Sequence, residues 1–114
     1  MSSIGSYLES VFSLEGKIIL MTGAAGGLGA AMAEALAKAG GTVLIGDLDR
    51  SPAKELAQKM RDEGLKAKAY DLDVTSVEQI KACVDAVIAE FGRIDVLINV
   101  AGINRREGLL DVAE

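Results

Sequence analysis

The chain of 114 residues carries 12 Lys+Arg against 17 Asp+Glu, a net charge of −5, with half its residues hydrophobic and 4% aromatic. That length suits one domain with a modest core, and an acidic balance without Lys/Arg clusters lacks the cationic stripe that nucleic-acid binding requires. No stretch approaches 18 consecutive apolar residues, no basic start precedes an apolar run, and Cys83 is the one cysteine, so a membrane span, a secretory leader and a disulfide framework are not expected. A lone thiol fits a reducing compartment, and the expected location is cytoplasmic. With no histidine, a zinc site or a Cys/His nucleophile pair cannot be assembled, so no metal is expected.

In chain order, residues 1–16 form a Ser-rich arm in which Ile4, Tyr7, Leu8, Val11 and Phe12 fall at helical spacing. This is either a flank that packs on the domain or a partner-binding helix. Ile18 to Met21 is a continuous apolar run, the pattern of a strand buried on both faces. Leu28 to Ala39 is Ala-rich and helical in pattern, stopped by Gly40-Gly41. Thr42 to Ile45 reads as the next buried strand and closes at Gly46-Asp47.

Ser51-Pro52 predicts an N-cap with proline in the first helical position, opening a helix to about Glu63 with Leu56 and Met60 on one face and Gly64 as its breaker. Lys66 to Tyr70 predicts a third strand. Thr75-Ser76-Val77-Glu78 predicts a capping box, in which Thr75 and Glu78 each satisfy an open backbone N–H. Behind it Val77, Ile80, Val84, Val87, Ile88 and Phe91 form one helical stripe, and Cys83 in that helix reads as a small core residue. Gly92 ends the helix, and Ile94 to Val100 predicts the fourth strand. The order is βαβαβαβ, which implies an α/β fold with a parallel sheet and right-handed crossovers.

The segment Thr22-Gly23-Ala24-Ala25-Gly26-Gly27-Leu28-Gly29 lies between the first strand and the first helix. A tight turn alone needs one glycine. Here Gly23 can turn the chain out of the strand, Gly27 can admit a pyrophosphate close to the backbone, and Gly29 with Ala30, Ala31 and Ala33 can let the helix lie close to the sheet. The open N–H groups at the helix start favour an anion. The turn residues Gly23, Ala25, Gly26, Gly27, Leu28 and Gly29 are therefore candidate dinucleotide contacts. Asp47 stands 18 residues beyond Gly29, near the roughly 20-residue spacing of a carboxylate that accepts from an adenosine ribose hydroxyl. It would repel a 2′-phosphate. Neither Ala25 nor Leu48, where a compensating cation could sit, is basic, so NAD is expected over NADP.

Thr22-Gly23-x-x-x-Gly27-x-Gly29 resembles the glycine pattern of the short-chain dehydrogenase/reductase family. Three further elements match in order: Asp73-Val74, Phe91-Gly92-Arg93-Ile94-Asp95, and Asn99-Val100-Ala101-Gly102, with Val100 in place of a second Asn. The resemblance implies a Rossmann-type domain over residues 17–114, strand order 3-2-1-4, that stops after the fourth strand. It places Asp73 and Val74 at the adenine ring, and Asn99, Ala101 and Gly102 along the cofactor. It also implies three layers with one face of the sheet incompletely covered, and a homo-oligomer or a further part of the fold against that face. A weaker similarity, at Phe12 to Lys17 and Gly102 to Glu107, is to sugar-acid members such as gluconate 5-dehydrogenases and 2-deoxygluconate dehydrogenases, in which Arg105 and Arg106 could hold a carboxylate.

The family's chemistry is hydride transfer to or from a secondary alcohol or ketone, assisted by a Ser and a Tyr with a Lys four residues later. The two tyrosines here, Tyr7 and Tyr70, are followed at that spacing by Val11 and Val74. No catalytic residue is therefore expected in these 114 residues. The alternative is a non-catalytic nucleotide-binding module.

Overall fold

The computed structural model describes residues 13–23, 26–48 and 52–100. The apolar runs become four parallel strands: β1 (Ile18–Thr22), β2 (Thr42–Asp47), β3 (Ala67–Asp71) and β4 (Val96–Asn99). Between them lie helices α1 (Gly27–Lys38), α2 (Ala53–Asp62) and α3 (Val77–Phe91). The sheet order is β3-β2-β1-β4, as the resemblance implies. The arm residues Ile4, Tyr7, Leu8, Val11 and Phe12 fall outside the described residues.

Burial explains the absence of polar alternation in β1. All five of its residues are buried, because successive side chains enter opposite cores. Ile19 and Met21 join Val43, Ile45 and the inner faces of α1 and α2 in one core. Ile18 and Leu20 join Leu44, Leu72, Cys83 and Val87 in the other, under α3. Cys83 is thus the core residue its helical position suggests, and burial pushes its thiol pKa up.

Small side chains bring α1 close to the sheet, although the residues differ in part from those predicted. Gly29, Ala33 and Ala37, four apart, are the buried ones, whereas Ala31 is exposed. A spacing of four keeps residues on one helical face and a spacing of two does not. In α2 the buried residues are Ala53, Ala57 and Met60, with Leu56 half-buried. Proline stands one position earlier than predicted: Pro52 is the N-cap, and its carbonyl accepts from Leu56 N–H at 2.9 Å. Ser51 lies outside the described residues.

The capping box of α3 is shifted by one residue. Ser76, not Thr75, is the N-cap, and its hydroxyl accepts from Gln79 N–H at 3.2 Å. Gln79 Oε1 reaches back to accept from Asp73 N–H at 2.9 Å, while the Thr75 hydroxyl donates to Asp73 Oδ1 at 2.6 Å. Serine and threonine at adjacent positions both suit the cap, and the loop geometry before the helix selected between them. Gly92 closes α3 in the left-handed conformation at φ 86°, where a Cβ would be strained.

The predicted stripe on α3 is only half used. Cys83 and Val87 are buried, and Val84 and Phe91 are partly so. Val77 is 79% exposed, and Ile80 and Ile88 are exposed as well. β4 is shorter than predicted, and on that same face Leu97 is 65% exposed. Among the described residues α3 is the only helix on this face, so the apolar surface at its β4 side is uncovered. Val100, just beyond β4, is buried with the α1 and α2 core, and so extends the apolar strand end.

At the N-terminal end of the sheet, Asp95 ties β4 to β1. Its Oδ2 accepts from Ile18 N–H at 2.8 Å and from Arg93 Nε at 2.9 Å, and Asp95 N–H donates to Ile18 O at 2.8 Å. The Arg93 guanidinium also donates to Gly16 O. The Ile18 amide, and then Arg93, hold the Asp95 carboxyl below the usual carboxylate range. A lowered folded value means that this contribution is complete above the unfolded pKa, near 3.9, and fades as pH falls through the folded one. Asp95→Asn should therefore be less stable than the parent at neutral pH and should lose less further stability below about pH 4, checked by urea midpoints across pH.

Gly46 tests the packing between β2 and the loop after β3. A Cβ at Gly46 would stand 2.8 Å from Leu72 Cδ2 and 3.4 Å from Leu72 Cβ. Gly46→Val should cost about 1–3 kcal/mol by overpacking, read as a lower denaturation midpoint with an unchanged slope.

Candidate functional site

The four strand ends form one row. Thr22 pairs in register with Gly46 on one side and Asn99 on the other, and Asp47 pairs with Asp71. The strand order reverses at β1, where α1 leads outward to β2 and α3 returns from β3 to β4 on the other side, so the crevice of an open α/β sheet lies beyond these C-terminal ends.

Gly23 makes the exit from β1. Its φ is 71°, in the left-handed region, and its N–H donates to Gly46 O at 2.9 Å. The chain then reaches α1, whose N-cap is Gly26. No side chain caps this end, and its first turn holds no acidic residue. The backbone N–H groups of the first turn are therefore left for a group from outside the helix. Among the described residues nothing lies within 4 Å of where a Cβ would stand at Gly26 or Gly27. Packing within the described residues does not account for glycine at either position. Leu28 is 54% exposed on the same turn, whereas Gly29 is buried against the sheet.

On the neighbouring strand, Asp47 is half-buried, and its Oδ1 accepts from Leu48 N–H at 2.8 Å. This bond aims the carboxylate around the strand end and leaves acceptor capacity on the group. Leu48 is half-buried. Beyond β3, Asp73 Oδ1 accepts from both Thr75 N–H and the Thr75 hydroxyl, so this carboxylate also organises the entry to α3. Val74 follows, 39% exposed. Asn99 ends β4, where its Oδ1 accepts from the Thr22 hydroxyl at 2.9 Å. Thus Gly23, Gly26, Gly27, Leu28, Asp47, Leu48, Asp73, Val74 and Asn99 all stand at the C-terminal end of the sheet. Ala25, Ala101 and Gly102 lie outside the described residues, as do Arg105 and Arg106.

The Thr22 hydroxyl is the contributor that sequence reading passed over. It is 9% exposed and fastens the β1 end to the β4 end across the crevice. The available signal was a threonine ending an apolar strand, where its hydroxyl needs a partner. Between these ends and α3 lies an apolar cavity of about 170 Å³, lined by Leu20, Leu72, Val74, Ile80, Cys83, Val84 and Leu97 with Thr22 and Asn99 at its rim. Among the described residues no cluster of His, Cys, Asp and Glu could hold a metal ion, and no helix is long and apolar enough to cross a membrane.

The short chain dehydrogenase profile matches residues 17–114. The chain is 43% identical over 94 residues to D-threitol dehydrogenase of Mycolicibacterium smegmatis, covering 82% of this chain and 36% of that protein. The structure of 2-keto-3-deoxy-D-gluconate dehydrogenase from Streptococcus agalactiae superposes with a TM-score of 0.79 at 37% identity, over 94% of this chain and 40% of that one. An oxidoreductase structure from Haemophilus influenza with bound NAD superposes with a TM-score of 0.71 at 33% identity, over 79% of this chain and 32% of that one. The chain therefore spans about a third to two fifths of the length of these proteins. With its glycine turn and strand order, this chain belongs to the short-chain dehydrogenase family.

Proposed function

We propose that this chain is the NAD(H)-binding part of a short-chain dehydrogenase/reductase that interconverts a secondary alcohol and a ketone, in the cytoplasm. The observation that carries the reading is the start of α1, which has no side-chain cap and no described atom within 4 Å of a Cβ at Gly26 or Gly27, with Asp47 on the adjacent strand end. Gly23, Ala25, Gly26, Gly27, Leu28 and Gly29 form the pyrophosphate turn, where backbone N–H groups meet the anion. Asp47 accepts from the adenosine ribose, Leu48 packs beside it, and the carboxylate disfavours a 2′-phosphate, so NAD is preferred to NADP. Asp73 and Val74 border the adenine, and Asn99, Ala101 and Gly102 line the path towards the nicotinamide. The bound dinucleotide supplies the hydride acceptor or donor; this chain's residues bind and orient it.

Proton transfer to or from the substrate needs a group with a tuned pKa within hydrogen-bond reach. Tyr70 does not serve. Its hydroxyl donates to Glu90 Oε2 at 2.9 Å, and burial, then Glu90, pushes its pKa up rather than down. We assign cofactor binding to this chain and no catalysis to its 114 residues. The missing Tyr-x-x-x-Lys also keeps open a second reading, a nucleotide-binding module without turnover. A sugar acid or polyol is the proposed substrate class, supported by the names of the two dehydrogenases compared above. A second copy or a further part of the fold against the α3 and Leu97 face is supported by its exposed apolar residues.

Calorimetric titration with NAD tests the shared core of both readings, and the absence of heat together with unprotected amides over residues 23–29 would overturn it. Gly27→Val should weaken NAD binding by more than about tenfold while leaving the fold intact by circular dichroism, because its side chain would fill the phosphate space. Asp47→Ala should weaken NAD by about 10–100-fold, the worth of a hydrogen bond to a charged group, and relax the preference over NADP. Both are read by titration with the two cofactors.

A further inference from the structure

The loop from β3 into α3 is tied more closely than a helix cap requires. Ser76-Val77-Glu78-Gln79 fits the capping-box pattern, in which the side chain at the third helical position returns to the N–H of the N-cap. Here it does not. Ser76 N–H donates to Asp73 O at 3.0 Å, which closes the turn with backbone atoms. Gln79 Oε1 instead reaches past the N-cap to accept from Asp73 N–H at 2.9 Å. The Ser76 hydroxyl supplies the side-chain cap on α3, so the Gln79 side chain serves the loop.

That loop is fixed on either side of Asp73 and at its carboxylate. Leu72, 3% exposed, lies over Gly46 and donates its N–H to Asp47 O at 2.7 Å, which fastens the chain to the end of β2. The Thr75 N–H and hydroxyl both donate to Asp73 Oδ1, at 2.9 and 2.6 Å, and so set the plane of the carboxylate. Gln79 ties the Asp73 amide to α3, which Cys83 and Val87 seat on the sheet. Val74 follows on the rim of the row of strand ends and lines the apolar cavity there.

A side chain held by such supporting bonds is preorganised, and its recognition is only as sharp as that support. An ionised carboxylate accepts and cannot donate. It therefore distinguishes a purine with a 6-amino group, a donor, from one with a 6-oxygen, an acceptor. We propose that Gln79 is a positioning residue: by holding Asp73 it makes the site select a 6-aminopurine dinucleotide over its 6-oxo counterpart. This role rests on the placement of Asp73 at the adenine proposed above.

Calorimetric titration of the full chain with NAD and with nicotinamide hypoxanthine dinucleotide tests it. The parent should bind NAD at least about tenfold more tightly than the hypoxanthine compound. Gln79→Met keeps the length of the side chain and removes the acceptor, and should narrow that ratio by about three- to tenfold. Gln79→Glu retains an acceptor and should keep the parent's ratio. Thr75→Val removes the hydroxyl from Asp73 Oδ1 and should narrow the ratio independently, which keeps the test open if Gln79→Met does not fold by circular dichroism. A purely structural role would weaken both dinucleotides alike. Equal weakening, or an unchanged ratio in the folded variants, would overturn the proposal, as would a parent that binds NAD without preferring it. A parent that binds neither dinucleotide would overturn the cofactor reading itself, so the two failures are told apart.

Discussion

Every residue of β1 is buried, and the strand is paired in parallel on both sides, to β2 and to β4. A strand so placed must give all its backbone groups to neighbours and all its side chains to two cores. Parallel neighbours require long crossovers, which become α1 towards β2 and, after β3, α3 towards β4. The helices then fall on opposite faces, and the chain leaves β1 at a crevice with Thr22, Gly46 and Asn99 aligned around it. The position of the crevice follows from this one register.

Two polar ties hold that register from its ends. At the N-terminal end the Asp95 carboxylate accepts from the first amide of β1, with Arg93 completing the clamp. At the C-terminal end the Thr22 hydroxyl donates to Asn99. Both bridge β1 to β4, the pairing with the fewest residues and an outer strand exposed on the α3 side. Charge-assisted and part-buried bonds offset the limited apolar burial there. At the other edge strand, β3, the Arg61 guanidinium donates to Ala67 O at 2.9 Å.

Legibility from sequence tracked how local each determinant is. Strand runs, the glycine stop after α3 and the turn after β1 were readable because apolar periodicity and positive φ depend on a few consecutive residues. Thr75 and Ser76 cannot be told apart as caps from sequence because both hydroxyls suit the position, and the choice depends on where Asp73 and Gln79 meet. Ala31 matches the small packed residues by type, yet α1 turns it to solvent while Ala37 takes the inward position. The Thr22–Asn99 bridge spans 77 residues, and a contact of that separation has no local signature.

By itself the amino-acid sequence determined the order of elements, the doubly buried character of β1 and the glycines that open the start of α1, since each is written in residue types at short spacing. Tertiary structure decided which face of α3 is buried, which strand ends meet, and that Arg61 reaches Ala67 O on β3. These depend on distances between elements remote in the chain, where burial and hydrogen-bond partners are set by packing rather than by neighbours in sequence.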